Sequence, residues 1–230
     1  MIGIIGAMDE EVEQIVAVMD IEREETKAQM TFKAGKLAGK DVVIVRSGIG
    51  KVNAAVCTQI LIDDFDAEVV INTGIAGSLN ADINIGDIVV STDLIHHDMN
   101  AVAFGYPVGQ IPQMEAFSFH SDDALRALAV KACKEANPDI EVFEGRIASG
   151  DQFVADQGVK DFITKEFGAY AVEMEGAAIA QAAYLNSIPF VIIRAISDKA
   201  DDSAHMDYGE FEAKAVEHSV NLMLALVKRL

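Results

Sequence analysis

Seven runs of apolar and β-branched residues, at 2–5, 41–45, 68–72, 87–91, 142–148, 170–172 and 190–194, alternate along this chain with segments of helical periodicity. Consecutive parallel strands need a crossover, usually a helix, so this alternation implies a largely parallel sheet with helices on both faces. Helices are expected at 10–19, 51–65, 122–136, 159–167, 177–185 and 211–229. In the last of these Val216, Val220, Met223, Val227 and Leu230 recur at three- and four-residue steps, the stripe of a core-facing helix. Residues 31–37 and 41–45 are joined by Ala38-Gly39-Lys40, a hairpin signal that adds an antiparallel element and makes the sheet mixed. With 230 residues, 51% of them hydrophobic, and with no repeat or Pro/Gly/Ser linker, the expectation is one domain spanning 1–230.

The charge balance excludes some partners. Against 18 Lys plus Arg stand 37 Asp plus Glu, a formal charge of -19, which repels nucleic-acid phosphates and anionic membrane surfaces alike. The acids are spread through the chain, as in a soluble acidic protein, and not gathered in a tail. Cys57 and Cys133 lie far apart within helical patterns, without metal-ligand spacing, and read as buried thiols in a reducing compartment. The start, Met1-Ile2-Gly3-Ile4-Ile5-Gly6, is strand-like and carries no basic leader segment, and no apolar run reaches membrane-spanning length. A cytoplasmic location is expected.

Acids concentrate where two apolar runs stop, in Ala171-Val172-Glu173-Met174-Glu175-Gly176 and in Arg194-Ala195-Ile196-Ser197-Asp198. The second block follows Ile188-Pro189-Phe190-Val191-Ile192-Ile193, the composition of a fully buried strand, expected to empty into a loop at Ser197. Glu173 and Glu175 stand between a short strand and a small-residue helix start at 176–183. Ligands of open α/β sheets sit outside the carboxyl ends of strands. One acid there often only caps the next helix or pairs with a neighbouring Arg. Three converging on one edge point to a site.

Other motifs lead away from nucleotide and metal chemistry. Gly48-Ile49-Gly50-Lys51 resembles a phosphate loop, but Val45 and Val52 stand where a Walker motif needs Gly and Ser or Thr. Gly3-Ile4-Ile5-Gly6 lacks the third glycine of a dinucleotide fingerprint. What survives is a glycine turn into a helix N-terminus, whose amides are placed to approach a polar ligand. In His96-His97-Asp98, adjacent residues of an extended segment point to opposite faces, so neither a metal site nor a cofactor is expected. Residues 96–115, with Phe104, Tyr106, Pro107, Pro112 and Met114, form the longest irregular stretch, a length that usually marks function or an interface.

Six segments complete the pattern in order: Gly6-Ala7-Met8-Asp9-Glu10-Glu11, Ser47-Gly48-Ile49-Gly50-Lys51, Asn72-Thr73-Gly74, Ala103-Phe104-Gly105-Tyr106, Val172-Glu173-Met174-Glu175 and Arg194-Ala195-Ile196-Ser197-Asp198. Together they resemble the 5′-methylthioadenosine/S-adenosylhomocysteine nucleosidases of the nucleoside phosphorylase/hydrolase superfamily, over essentially the whole chain. The resemblance implies an α/β fold, a three-layer α/β/α sandwich around a mixed, partly barrel-like central sheet, in a homodimer. It implies hydrolysis of the N9–C1′ bond of 5′-substituted adenosines, in methionine salvage and the recycling of S-adenosylmethionine by-products. By motif position Asp198 resembles the acid that protonates the purine, Glu11 the residue that orients the attacking water with Arg194 beside it, and Glu175 the ligand of the ribose hydroxyls. Met8, Ile49, Ala76, Gly77, Phe153, Val154, Glu173, Met174, Ser197 and Tyr208 match positions of the nucleoside pocket, and Phe104, Tyr106 and Pro112 match residues lent to a partner subunit. The chain departs from many relatives at Ile75, where they carry Ser, and at Tyr208, where they carry Phe.

These residue types suit that chemistry. Breaking a ribosyl bond passes through an oxocarbenium-like state, which calls for an acid at the departing base and anions beside the sugar. Asp198, following an apolar strand, is expected to be desolvated and so to keep a proton near neutral pH. A protonated carboxyl donates to N7 and accepts from a 6-amino group, which selects adenine. A purine nucleoside phosphorylase would need cationic or hydroxyl ligands for phosphate, and Glu11 would repel that dianion. A 6-amino-6-deoxyfutalosine nucleosidase differs only in the 5′ substituent of its substrate. A non-catalytic nucleoside sensor would be marked by loss of Asp198 or Glu11, and both are present.

Overall fold

The computed structural model describes residues 1–201 and 204–230, with 204–210 and 212 described by their backbone only. In chain order the elements are β1 (Ile2–Gly6), α1 (Asp9–Val16), β2 (Asp20–Lys27), β3 (Met30–Leu37), β4 (Lys40–Arg46), α2 (Lys51–Phe65), β5 (Val69–Ser78) and β6 (Ile88–His96). After a one-turn 3-10 helix at Val102–Phe104 come β7 (Phe119–His120), α3 (Asp123–Ala136), β8 (Val142–Ser149), α4 (Gln157–Phe167), β9 (Ala171–Glu173), α5 (Gly176–Leu185), β10 (Phe190–Asp198) and α6 (Ala204–Val227).

Five strands close on themselves. β10 pairs parallel with β5 and antiparallel with β6. β8 pairs parallel with both β6 and β9, and β9 returns antiparallel to β5. From this barrel the sheet continues through β5 to β1, β4, β3 and β2. Helices cover both faces. Ala54, Cys57, Leu61 and Phe65 of α2 pack with Ile179 and Ala183 of α5 over Ile5, Phe32 and Val43, while α1, α3 and α6 bury Val12, Ala129 and Met223 against Ile4, Ile44 and Ile193. Ile4 and Ile5 thus enter opposite cores, as the two-residue period of a strand buried on both faces requires. This is the three-layer arrangement around a mixed, partly barrel-like sheet.

Several expectations need correction. Parallel and antiparallel pairings are equally frequent among the described residues, so the sheet is less parallel than the strand–helix alternation implies. β2, absent from the expected strands, is an almost wholly exposed edge strand of sequence Asp-Ile-Glu-Arg-Glu-Glu-Thr-Lys, with no apolar alternation to announce it. β10 does not end in a loop at Ser197. It continues to Asp198 through an irregularity between Ile196 and Asp198, and Ser197 is the residue skipped in its register with β5. α6 begins at Ala204, seven residues before the start that its apolar stripe implies. Both cysteines are buried free thiols, in α2 and α3. No helix among the described residues is long and apolar enough to cross a membrane.

Candidate active site

Four carboxylates reach a cavity of about 420 Å³ at the C-terminal half of β5: Glu11 from the first turn of α1, Glu173 from the end of β9, Glu175 from the turn into α5, and Asp198 from the end of β10. All four are buried. Two glycines of β5 make room for two of them. A Cβ on Gly74 would lie 2.5 Å from Glu11 Oε1, and one on Gly77 would lie 2.7 Å from Asp198 Oδ1. These positions are three strand rises apart, about 10 Å at the usual rise, so the two acids meet β5 at different points along the cavity lining.

Glu11 is held by backbone amides. Ala7 and Met8 donate to Oε2 at 2.6 and 3.0 Å, and Ile75 donates to Oε1 at 3.1 Å. Met8 is the N-cap of α1, so Glu11 also serves as the third-residue acid of that helix start. Burial raises its pKa above the ordinary carboxylate range, against the pull of Arg194 and the three amides.

Glu173 is fully engaged by the protein itself. Arg194 and Ser149 donate to its two oxygens, and the amides of Glu175 and Gly176 donate to Oε2 at 3.1 and 2.7 Å, capping α5. Burial opposes its charge, but Arg194 and these donors prevail and hold its pKa below the usual value. Here the strand-end acid does pair with an arginine and cap a helix, so Glu173 organises the site more than it offers an acceptor to a ligand. Arg194 lies behind the cavity wall, and its guanidinium reaches Asn72 Oδ1 and Ile193 O as well as Glu173, while its Nε has no acceptor among the described residues.

Glu175 has a different balance. The Gly50 amide donates to its Oε1 at 2.8 Å. Burial, with Glu173 nearby, pushes its pKa up to about 8. Two amides of the Gly48–Lys51 turn are taken by carboxylates of the protein itself, Gly50 by Glu175 and Lys51 by Asp151 at 2.8 Å, so these two hold side chains in place where the expectation has them approach a ligand. Asp198 accepts from the Ala200 amide at 2.8 Å and from Ser197 Oγ at 2.9 Å, which orients both oxygens.

Of the other residues singled out in the sequence, Met8, Ile49, Ala76, Gly77, Phe153, Met174 and Ser197 line the cavity, and Val154 lines an adjoining recess. Ala7, Ile75 and Val172 line the cavity too, and Gln152 lines the recess. Ile75 draws notice in the sequence only as a departure, Ala7 and Val172 only as members of motif segments, and Gln152 stands in no motif. Asn72, which holds Arg194, is signalled by the Asn72-Thr73-Gly74 motif, whereas Ser149, which holds Glu173, is signalled only by its place at a strand end. Phe104, Tyr106 and Pro112 lie outside the lining, and Phe104 is 84% exposed. The side chain of Tyr208 lies outside the described residues. His96, His97 and Asp98 diverge: His96 Nε2 pairs with Gln181 Oε1 at 2.9 Å, His97 packs against Gly150, and Asp98 pairs with Lys51. A larger hollow of about 540 Å³ between α1 and β2–β4 is walled by charged side chains, among them the Arg46–Asp9 pair at 3.0 Å, and shares none of the carboxylates above.

A barrel that gathers acids at one mouth, with helices on both faces of its extended sheet, is the architecture of the phosphorylase superfamily, whose family model matches residues 1–228. A 5′-methylthioadenosine/S-adenosylhomocysteine nucleosidase of Bacillus thuringiensis subsp. konkukian is 44% identical over 230 residues, covering 100% of this chain and 99% of the relative. Within the superfamily the chain belongs to the family of these nucleosidases. The crystal structure of the Neisseria meningitidis enzyme of that name, in complex with methylthio-immucillin-A, superposes with a TM-score of 0.95 at 41% identity, covering 100% of this chain and 99% of the other. The native futalosine hydrolase of Helicobacter pylori superposes with a TM-score of 0.94 at 36% identity, covering 100% and 97%.

Proposed function

We propose that this chain hydrolyses the N9–C1′ bond of 5′-methylthioadenosine and S-adenosylhomocysteine, releasing adenine and the 5′-thioribose. The observation that carries this reading is that Asp198, Glu11 and Glu175 line a single cavity, with Glu11 beside Gly74 and Asp198 beside Gly77 of β5. Asp198, with Ser197 and Ala200 fixing its oxygens, faces the base and delivers a proton to N7, its other oxygen taking the 6-amino group. Glu175 takes the ribose hydroxyls. Arg194 commits its hydrogen bond to Glu173, and burial holds the Glu11 and Glu175 carboxyls toward the neutral form in the ligand-free protein, so the developing ribosyl cation is what draws them into the anionic form that stabilises it. Water is the nucleophile: Met8, Ile75 and the Glu11 carboxylate line the sugar end, and that carboxylate repels a phosphate dianion while it orients water.

The names of the relatives support the same substrates. The futalosine hydrolase at comparable structural similarity supports a second reading, action on 6-amino-6-deoxyfutalosine, which shares everything but the 5′ group. The same proposal includes a cytoplasmic homodimer acting in methionine salvage, supported by the two free thiols, the acidic surface and the exposed Phe104. A product assay tests the whole. Adenine should appear from 5′-methylthioadenosine without added phosphate, and 5′-methylthioinosine should be a poor substrate. Ribose-1-phosphate products or a strict phosphate requirement would make the enzyme a phosphorylase, binding without turnover would make it a sensor, and a preference for 6-amino-6-deoxyfutalosine would favour the second reading.

A further inference from the structure

Glu175 owes its direction to one short contact, the Gly50 amide at 2.8 Å, and Gly50 sits in a turn with φ +97° that glycine adopts readily. Something must hold that turn. On its C-terminal side the Lys51 amide donates to Asp151 Oδ1 at 2.8 Å, and Lys51 Nζ donates to both oxygens of Asp98 at 2.6 and 2.8 Å. Asp98 Oδ2 also accepts the Asp151 amide at 3.0 Å. One carboxylate, two residues beyond β6, thus ties the start of α2 to the loop after β8. The first of these carries Ile49 and Gly50, the second Phe153, and Ile49 and Phe153 form walls of the cavity. Lys51 and Asp98 themselves stand outside the lining, with side chains 21% and 28% exposed. Ion pairs with such access to water contribute little to stability, so three bonds converging on Asp98 ask for another explanation.

We propose that Asp98, through Lys51 and Asp151, is a positioning residue that aims the Gly50 amide at Glu175 and thereby sets recognition of the sugar. The inference rests on the nucleosidase reading and deepens it, for it assigns to a rim ion pair the orientation of the ribose ligand. Free adenine, which has no ribose, does not need this alignment.

The test is a double-mutant cycle of Asp98→Ala with Glu175→Gln, read in kcat/KM for 5′-methylthioadenosine and in calorimetric affinity for adenine. Asp98→Ala should lower kcat/KM on the order of ten- to hundredfold, the scale of a displacement of about 1 Å in a reacting site. Adenine affinity should stay within about twofold, and in the Glu175→Gln background the Asp98→Ala penalty should nearly vanish, because its target is gone. Lys51→Met, which breaks the same pair from the other side, should reproduce the pattern and serves where Asp98→Ala fails to fold. Additive penalties, or equal losses for nucleoside and adenine, overturn the proposal while leaving the nucleosidase reading intact. A wild-type enzyme that neither binds nor cleaves 5′-methylthioadenosine overturns both.

Discussion

Arg194 is the buried cation among the acids of this cavity, and its hydrogen bond goes to Glu173. Glu175 has no such hydrogen bond, and burial, with the Glu173 charge beside it, raises its pKa to about 8 from an ordinary 4.5 against the pull of Arg194. In the unfolded chain this carboxyl loses its proton near 4.5, and in the folded chain near 8, so between those values the folded state binds more protons. Its contribution to stability is therefore complete below about pH 4.5 and is lost as pH rises through about 8. A pKa displaced by one pH unit corresponds to about 1.4 kcal/mol, so the effect is on the order of several kcal/mol. Glu11 is shifted in the same direction and Glu173 in the opposite one. Urea unfolding of the ligand-free protein should show wild type losing stability relative to Glu175→Gln as pH is raised from about 5 to 9. Parallel curves would mean that Glu175 is ionised in the folded protein throughout. For catalysis, Asp198→Asn should cost about two to four powers of ten in turnover, the range of general acid catalysis, with the fold unchanged by circular dichroism. A loss below tenfold would move the proton donor elsewhere.

At the scale of elements, β5 shows why a strand can carry chemistry. Its glycines at 74 and 77 leave space that the Glu11 and Asp198 carboxylates fill, so a single methyl group meets a carboxylate oxygen head on. Gly74→Ala should push Glu11 away from the amides of Ala7, Met8 and Ile75 and reduce turnover about a hundredfold, the cost of a displacement of about 1 Å. Urea midpoint and kcat, measured together, check this: a variant that unfolds without a specific loss in kcat would make Gly74 a packing residue only. The same strand shows what is legible in the sequence. Asn72-Thr73-Gly74 stands out as a motif, as do the acids after β9 and in β10, because carboxylates interrupt apolar runs there. β2 does not, since its residues face water and its turn, Ala28-Gln29, takes positive φ at both positions without a Gly or Asn to announce it. The matching turn at Ala38-Gly39 has the glycine, and the β3–β4 hairpin follows from it. The irregularity at Ser197 and the engagement of Gly50 by Glu175 depend on partners more than 100 residues away, which local periodicity does not encode.

The whole molecule leaves an apolar surface open on this chain. Val52 and Val56 of α2 are 74% and 40% exposed although Ala54, Cys57 and Leu61 of the same helix are buried, so α2 is apolar well beyond the face its own core uses. Val102 and Phe104 are 52% and 84% exposed, and the Lys51–Asp98 pair ties the segment leading to them to the start of α2. Exposed apolar side chains of this size are what a partner surface would cover. In the homodimer proposed above, a two-fold contact would cover them and set the Phe104 segment of each subunit at the partner's cavity. Sedimentation should then give a dimer at working concentration. Phe104→Ala should weaken binding of 5′-alkylthio nucleosides far more than binding of adenine, which does not extend toward the 5′ end. Mixing Phe104→Ala with Asp198→Asn subunits separates a shared site from a self-contained one. In each heterodimer the site built from the Asp198 of the first and the Phe104 of the second contains both wild-type residues, and the other site contains neither. Activity should therefore recover on subunit exchange to about half that of an equal amount of wild-type dimer per heterodimer, as independent sites on a two-fold axis require. A monomer in sedimentation, or no recovery after exchange has been verified, would place the Phe104 segment outside the catalytic unit.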